Sequence, residues 1–447
     1  MTDDTAPAPD QGLAREVLRL AVPAFLALVA EPLFLLADSA IVGHLGTSSL
    51  AGLGVASAVL LTAVNIFVFL AYGTTAVVAR RLGAGDQRAA LSSGVDGLWL
   101  SLLLGVLAAA AVALWATPLV EVFGAPPQAS AEAVTYLRVS TLGIPAMLLV
   151  LAATGVLRGL QDTRTPLLVA VAGFSTNAAL SLWLVHGVGM GIAGAAWGTV
   201  IAQTAMAVVL VGVVVSGARR LGAPMGFAAS GVLRAAVDGV PLLVRTLALR
   251  AVLLITTWVA AGLGEAELAA HQVALTVWSS LAFALDALAI AAQALTGKAL
   301  GAGDVAGTRA MTALMVRWGV WFGVVLAVVL ALLHRVVPLG FTTDDQVRAA
   351  LAAALLVVAV GQPVSAVAFV LDGVLIGAGD ARWLAVAQTV FLLAYLPMVL
   401  AVWAGGAVGV EGLMWLWVAF TGYMAVRAAG LLWRARGDAW MVTGAGR

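Results

Sequence analysis

Apolar runs of 20 or more residues recur from one end of this 447-residue chain to the other. A run of that length crosses a bilayer as a helix, because in lipid a helix satisfies its own backbone groups. Breaking the runs at Gly, Pro and charge clusters gives twelve spans. They lie near 16–43, 51–80, 88–116, 132–157, 166–186, 191–215, 241–262, 268–298, 307–334, 348–376, 382–404 and 409–434. Only 10% of the residues are charged and 63% are hydrophobic, against about a quarter and about half in a soluble domain. The fold class expected is an all-α membrane protein with twelve transmembrane helices. Residues 1–14 and 435–447 read as polar tails, and the acidic start lacks the charged n-region and short apolar core of a signal peptide.

An even number of spans puts both tails on one side. Arg15, Arg80, Arg81, Arg88, Arg158, Arg219, Arg220, Lys298 and Arg434 fall on that side, whereas Glu121, Glu265, Glu267, Asp344, Asp345 and Glu411 fall on the other. The positive-inside rule then makes both termini cytoplasmic. The abundance of Ala, Gly, Val and Arg, with a single lysine, reads as the codon bias of GC-rich DNA. A bacterial inner membrane is the location expected.

The chain also repeats itself. LGAGD at 82–86 returns at 300–304, an offset of 218. The same offset carries Pro23 to Pro241, HLGTSSLA (44–51) to GLGEAELA (262–269) and GIP (143–145) to GQP (361–363). It also carries GVLRGLQDTR (155–164) to GVLIGAGDAR (373–382), and GIAGAAW (191–197) to GVEGLMW (409–415). The offset holds six spans, so the halves have parallel topology, and transporters built this way bind substrate between their halves. The domains expected are a six-helix lobe over 15–215, a basic cytoplasmic linker over 216–240, part of it a surface helix, and a second lobe over 241–434. Duplication kept for packing is the alternative reading.

Much chemistry is excluded. Without cysteine there are no disulfides or thiolate metal sites. No G-x-x-x-x-G-K-[ST], H-E-x-x-H or G-x-S-x-G occurs. The chain is therefore not expected to be an enzyme, to hold a cofactor or to hydrolyse ATP. A net charge of +1 gives no basis for a nucleic-acid partner. His44 and His334 sit at outer helix ends and His271 near one, where solvated or capping roles are expected.

Two acids interrupt the first span, EPLFLLADSAIVGHLG over 31–46. A charge at the bilayer centre costs at least ~2.5–3.5 kcal/mol, so it faces a cavity or a partner. Glu31 and Asp38 are two helical turns apart and share a face. Asp38 lies about 8 Å from the outer turn at 1.5 Å per residue. Pro23 and Pro32 interrupt the ladder of the same helix and let it kink. Either acid could exchange protons, or brace a neighbouring helix.

In the eighth span Gln272, Ser279, Asp286 and Gln293 recur every seven residues and draw a polar stripe. By depth, Asp286 matches Arg250 and Asp372 matches Arg245, giving two candidate pairs that offset the cost of burying four charges. Static ion pairs and cavity contacts are both open for them. Asp38, Asp286 and Asp372 map by the offset onto Thr256, Val68 and Thr154. The lobes share a plan but not their acids.

ADSAIVGHLG (37–46), FLAYGTTAVVARRLGAGD (69–86), ATGVLRGLQDTRTP (153–166) and the region from HQVAL to LGAGD (271–304) resemble the MATE family, multidrug and toxic compound extruders, and its DinF-like branch in particular. The resemblance runs from about residue 15 to 434. It implies two six-helix lobes in a V and a secondary antiporter that exports amphipathic, often cationic organic molecules in exchange for protons or sodium. It also implies that Asp38 is the coupling residue. The family's cation site joins this acid to an Asn, an Asp four residues later and a Thr, positions that read Asn177, Ser181 and Thr199 here. Ser181 removes one ligand charge, which favours the proton; sodium at Asp38, Asn177 and Thr199 is the alternative, and no metal site is expected otherwise.

The function expected is a monomeric, proton-coupled exporter of small amphipathic organic molecules in contact with membrane lipid. A flippase of lipid or lipid-linked precursors is an alternative, and would carry a large cavity dominated by basic residues.

Overall fold

The computed structural model describes residues 9–445, with the side chains of 9–11, Glu31 and Leu36 outside the described set. Twelve helices are long and apolar enough to cross a membrane. They run over Gly12–Gly43, Thr47–Gly83, Gln87–Leu114, Pro127–Gly159, Arg164–Gly187 and Ile192–Arg220, then Ala229–Ala261, Glu265–Gly301, Val305–Leu333, Asp345–Gly377, Ala381–Ala404 and Gly409–Arg436. No strand occurs among the described residues. The seventh span begins twelve residues before the apolar run does, because VLRAAVDGV contains no proline and continues the helix into Pro241. The non-helical connection to the sixth span shrinks to residues 221–228.

Three spans change pitch locally. The second has a 3-10 turn at Ile66–Val68, and the fourth has one at Thr141–Gly143. In the fourth, Pro145 cannot donate to the carbonyl of Thr141, so the ladder tightens just before it. The fifth ends in a π turn at Trp183–Gly187.

The repeat is present in the backbone. Asp86 caps the third span by accepting from Ala89 N at 2.8 Å, and Asp304 caps the ninth by accepting from Gly307 N at 2.7 Å. The glycine before each has φ of 81° and 80°, a left-handed conformation that favours glycine. Close helix contacts repeat as well. A methyl group on Gly155 would lie 2.5 Å from Ala71 O, and one on Gly373 would lie 2.2 Å from Ala289 O. Gly159 and Gly377 meet Thr75 O and Gln293 O in the same way. Each half therefore seats a G-x-x-x-G face directly on a neighbouring backbone, which is how helices approach in lipid without a hydrophobic driving force.

The chain divides into two compact units. One is Val22–Val240; the other joins the described residues before Val22 to the chain from Pro241 onward. Both boundaries fall inside helices, beside Pro23 and Pro241. In the second unit, Lys298 Nζ lies 3.6 Å from Glu16 Oε1 and ties the start of the first helix to the end of the eighth span. After the twelfth span, Trp440 is buried, Arg309 pairs with Asp438, and Gly444 N donates to Leu300 O at 3.0 Å.

Candidate functional site

In the first unit, the first and fifth spans run side by side in register. Phe34 stacks on Phe174 with ring centroids 5.2 Å apart. One turn further along each helix come Asp38 and Asn177, and beyond them His186 meets Ile41 O. The sixth span closes on the fifth through small residues: a methyl group on Gly198 would lie 2.6 Å from Ser181 Oγ. That approach places Thr199 beside Asn177.

Asp38, Asn177, Ser181 and Thr199 are all buried, none above 3% exposed. Asn177 Nδ2 donates to Thr199 Oγ1 at 3.3 Å, and Ser181 Oγ donates to Asn177 Oδ1 at 3.0 Å. The Tyr136 hydroxyl donates to Asp38 Oδ2 at 3.4 Å. Ser181 stands beside the same carboxylate, but its hydroxyl is committed to Asn177, which leaves Asp38 Oδ1 without a donor among the described residues. Rotation about one Ser181 bond would move that hydrogen bond to Asp38. Among the described residues, the ring of groups thus holds one acid among neutral donors, with no lysine, arginine or second acid. Glu31 shares the helix, but its side chain lies outside the described residues.

Sequence reasoning missed Tyr136. A signal existed: Glu132, Tyr136 and Ser140 recur every fourth residue and draw a polar line along one face of the fourth span.

In the second unit, Asp372 of the tenth span is gripped by two arginines. Arg245 of the seventh span makes a bidentate contact, its Nε donating to Oδ1 at 3.1 Å and its Nη2 to Oδ2. Arg427 of the twelfth span lies 3.0 Å from Oδ2 and stacks over Phe369 at 5.6 Å. All three charged groups are buried. One helical turn from Arg427, Tyr423 accepts a hydrogen bond from Gln388. Arg427 is absent from the sequence reading, because its partner lies 55 residues away on another span. The stripe on the eighth span runs from exposed Gln272 through half-buried Ser279 and Asp286 to buried Gln293, while Arg250 is exposed on its unit.

The histidines divide. His44 and His334 each bond a carbonyl of the preceding turn. His271 departs from the solvated or capping role expected of it. It is fully buried, 3.2 Å from Thr257 Oγ1 and packed on Trp417, because the eighth span starts at Glu265 and carries it below the helix end.

The MatE family profile matches residues 23–183 and 241–403 of this chain, one stretch in each half. Protein DETOXIFICATION 44, chloroplastic, of Arabidopsis thaliana is 33% identical, over 95% of this chain and 83% of its own length. DNA damage-inducible protein F of Escherichia coli is 30% identical, over 93% and 91%. Among solved structures, the Vibrio cholerae MATE transporter VcmN in the bent form superposes with a TM-score of 0.86 at 22% identity, covering 96% of this chain and 98% of that one. A MOP superfamily transporter from Pyrococcus furiosus gives 0.85 at 22%, covering 97% and 98%. With both halves matched by the profile and the twelve-span fold shared, this chain belongs to the MATE family of multi-pass membrane transporters.

Proposed function

We propose that this chain is a proton-coupled exporter of small amphipathic, often cationic organic molecules, with Asp38 as the group that carries the proton. The observation behind this reading is the buried Asp38 carboxylate, one oxygen without a donor, set among the neutral groups Tyr136, Asn177, Ser181 and Thr199. A lone acid can be neutralised by one proton, and Oδ1 is where that proton adds. Once protonated, the carboxyl becomes a donor, and Ser181 and Asn177 must rearrange around it. Pro23 and Pro32 weaken the ladder of the same helix, so a change at Asp38 is passed to a segment that bends readily.

Orientation follows from the arginines: both termini are read as cytoplasmic, and the membrane as the bacterial inner membrane. In the second unit, Arg245 and Asp372 are read as a packing pair held with Arg427. Arg250 and Asp286 are read as a second charged pair, and Gln272, Ser279 and Gln293 as polar contacts for cargo. The family's cargo class carries over without naming a compound.

Sodium coupling is a second reading, because Asp38, Asn177 and Thr199 present only oxygen and amide groups, the donors a hard cation takes. One carboxylate is a low ligand charge for such a site. Drug efflux from proteoliposomes under separately imposed proton and sodium gradients tests both. Efflux driven by the proton gradient alone is expected; efflux driven by sodium with no proton dependence overturns the proton reading.

A further inference from the structure

The end of the first unit away from its arginine-rich loops carries an open cleft of about 530 Å³, lined by Ala40, Ile41, His44, Leu182 and His186. Two of the chain's four histidines therefore meet in one place, one from the first span and one from the fifth. His44 Nδ1 lies 2.7 Å from Ala40 O, and His186 Nε2 lies 3.2 Å from Ile41 O. A carbonyl only accepts, so each of these ring nitrogens carries the hydrogen. The neutral imidazole then presents its other nitrogen as a lone pair: Nε2 in His44 and Nδ1 in His186. One ring N–H fixed by a carbonyl, with the opposite nitrogen left as a lone pair, is the arrangement of metal-ligating histidines.

The two anchoring carbonyls belong to consecutive residues of one helical turn, and both rings line the same cleft. His186 reaches that turn from the five-residue π segment Trp183–Gly187. Such segments are rare and concentrate at functional sites. Here the wider turn sets the His186 ring against the first span.

We propose that His44 and His186 together bind a transition-metal dication of the Zn2+ class at this mouth, tying the end of the first span to the end of the fifth. Imidazole suits Zn2+, Cu2+ and Ni2+, while Mg2+ and Ca2+ favour oxygen. No group of three or more His, Cys, Asp or Glu converges among the described residues, so water fills the remaining coordination positions. The site is then an exchangeable one, occupied or vacated as metal rises and falls. It stands six residues along the first span from Asp38 and uses none of the groups around that acid. An ion held there restrains the stretch of helix between Asp38 and the mouth.

The test is calorimetric titration of ZnCl2 into the full-length protein, purified in detergent without a histidine tag. The chain has no cysteine and two further histidines, of which His271 is buried, so competing sites are few. Both mouth histidines are exposed, and H44A and H186A are expected to keep the fold, checked by unfolding temperature. Saturable one-to-one binding is expected, weakened at least about tenfold by either variant and unchanged by H334A. Zinc should also raise the unfolding temperature of the wild type and not of the variants. Absence of saturable binding to the wild type, or undiminished affinity in either variant, overturns the site. Binding is read directly, so the outcome is independent of which ion drives transport.

Discussion

The Thr256 and Tyr395 hydroxyls meet at 2.7 Å, both buried, at the positions 218 residues beyond Asp38 and Asn177. The second unit thus fills the positions equivalent to Asp38 and Asn177 with a neutral hydroxyl pair, and Trp417 occupies the position equivalent to Thr199. A buried charged cluster of the second unit lies elsewhere, at Arg245, Asp372 and Arg427. At these positions one half therefore holds a buried acid, and its counterpart holds a hydrogen bond between two neutral hydroxyls.

Thr256→Val should accordingly cost about 1 kcal/mol of stability, the worth of one buried hydrogen bond, without altering which ion drives transport. Thermal unfolding together with efflux under the two gradients checks this. A change of ion dependence would contradict the neutral role of the pair.

Asp38→Asn keeps the shape of the side chain but cannot gain or lose a proton. It should abolish efflux while leaving the unfolding temperature close to wild type. Tyr136→Phe removes the hydroxyl that donates to Oδ2 and should slow efflux without abolishing it, since the acid remains. Transport and unfolding are measured on the same preparations.

Ser181→Asp adds a second carboxylate within the same ring of groups, one helical turn from Asn177. Two acids with Asn177 and Thr199 make a better site for a hard cation. Efflux by this variant should depend on sodium more strongly than efflux by the wild type does, measured by adding NaCl at fixed proton gradient.

Asp372 offsets part of the charge of two buried arginines. Asp372→Leu should destabilise the protein by ~3–5 kcal/mol, the cost of leaving a buried charge without its partner. Arg427→Leu should cost less, because Arg245 still holds the carboxylate at two points. Unfolding temperatures of the two variants give the ranking.

Gly373→Ala and Gly155→Ala should each cost ~1–3 kcal/mol, because the new methyl group meets backbone at the helix contact. Gly54→Ala, with nothing within 4 Å of the added methyl, should be neutral or slightly stabilising. Equal behaviour of all three in thermal unfolding would refute the packing argument.

The number of spans was legible because hydropathy is a local signal that lipid enforces along every helix. The repeat was legible because turns need particular residues: Gly85 and Gly303 lie at positive φ, and Asp86 and Asp304 cap the helices that follow. Asn177, Ser181 and Thr199 were legible through the resemblance to the family, and spacing added only that Asn177 and Ser181 share a helix face. Counting depth set Arg245 opposite Asp372, because both are referred to the same membrane plane. Contacts between spans without such a reference stayed hidden: Tyr136 with Asp38, 98 residues apart, and Arg427 with Asp372. The π turn that carries His186 was hidden too, since WLVHG has no composition that distinguishes it from an α turn. The seventh span starts at Ala229 and not at Pro241: its first twelve residues are polar enough to read as part of an interfacial linker, although nothing in them stops a helix.

Glu16 and Lys298 belong to one compact unit, yet the ribosome makes them roughly 280 residues apart, about 15–55 s at 5–20 residues per second. The opening turns of the first helix are thus among the first to leave the ribosome and among the last to find their partner. Assembly of the second unit is for this reason an event that follows synthesis of most of the chain. Severing the polypeptide at 221–228 would give two pieces, each carrying a strip of helix that belongs to the other.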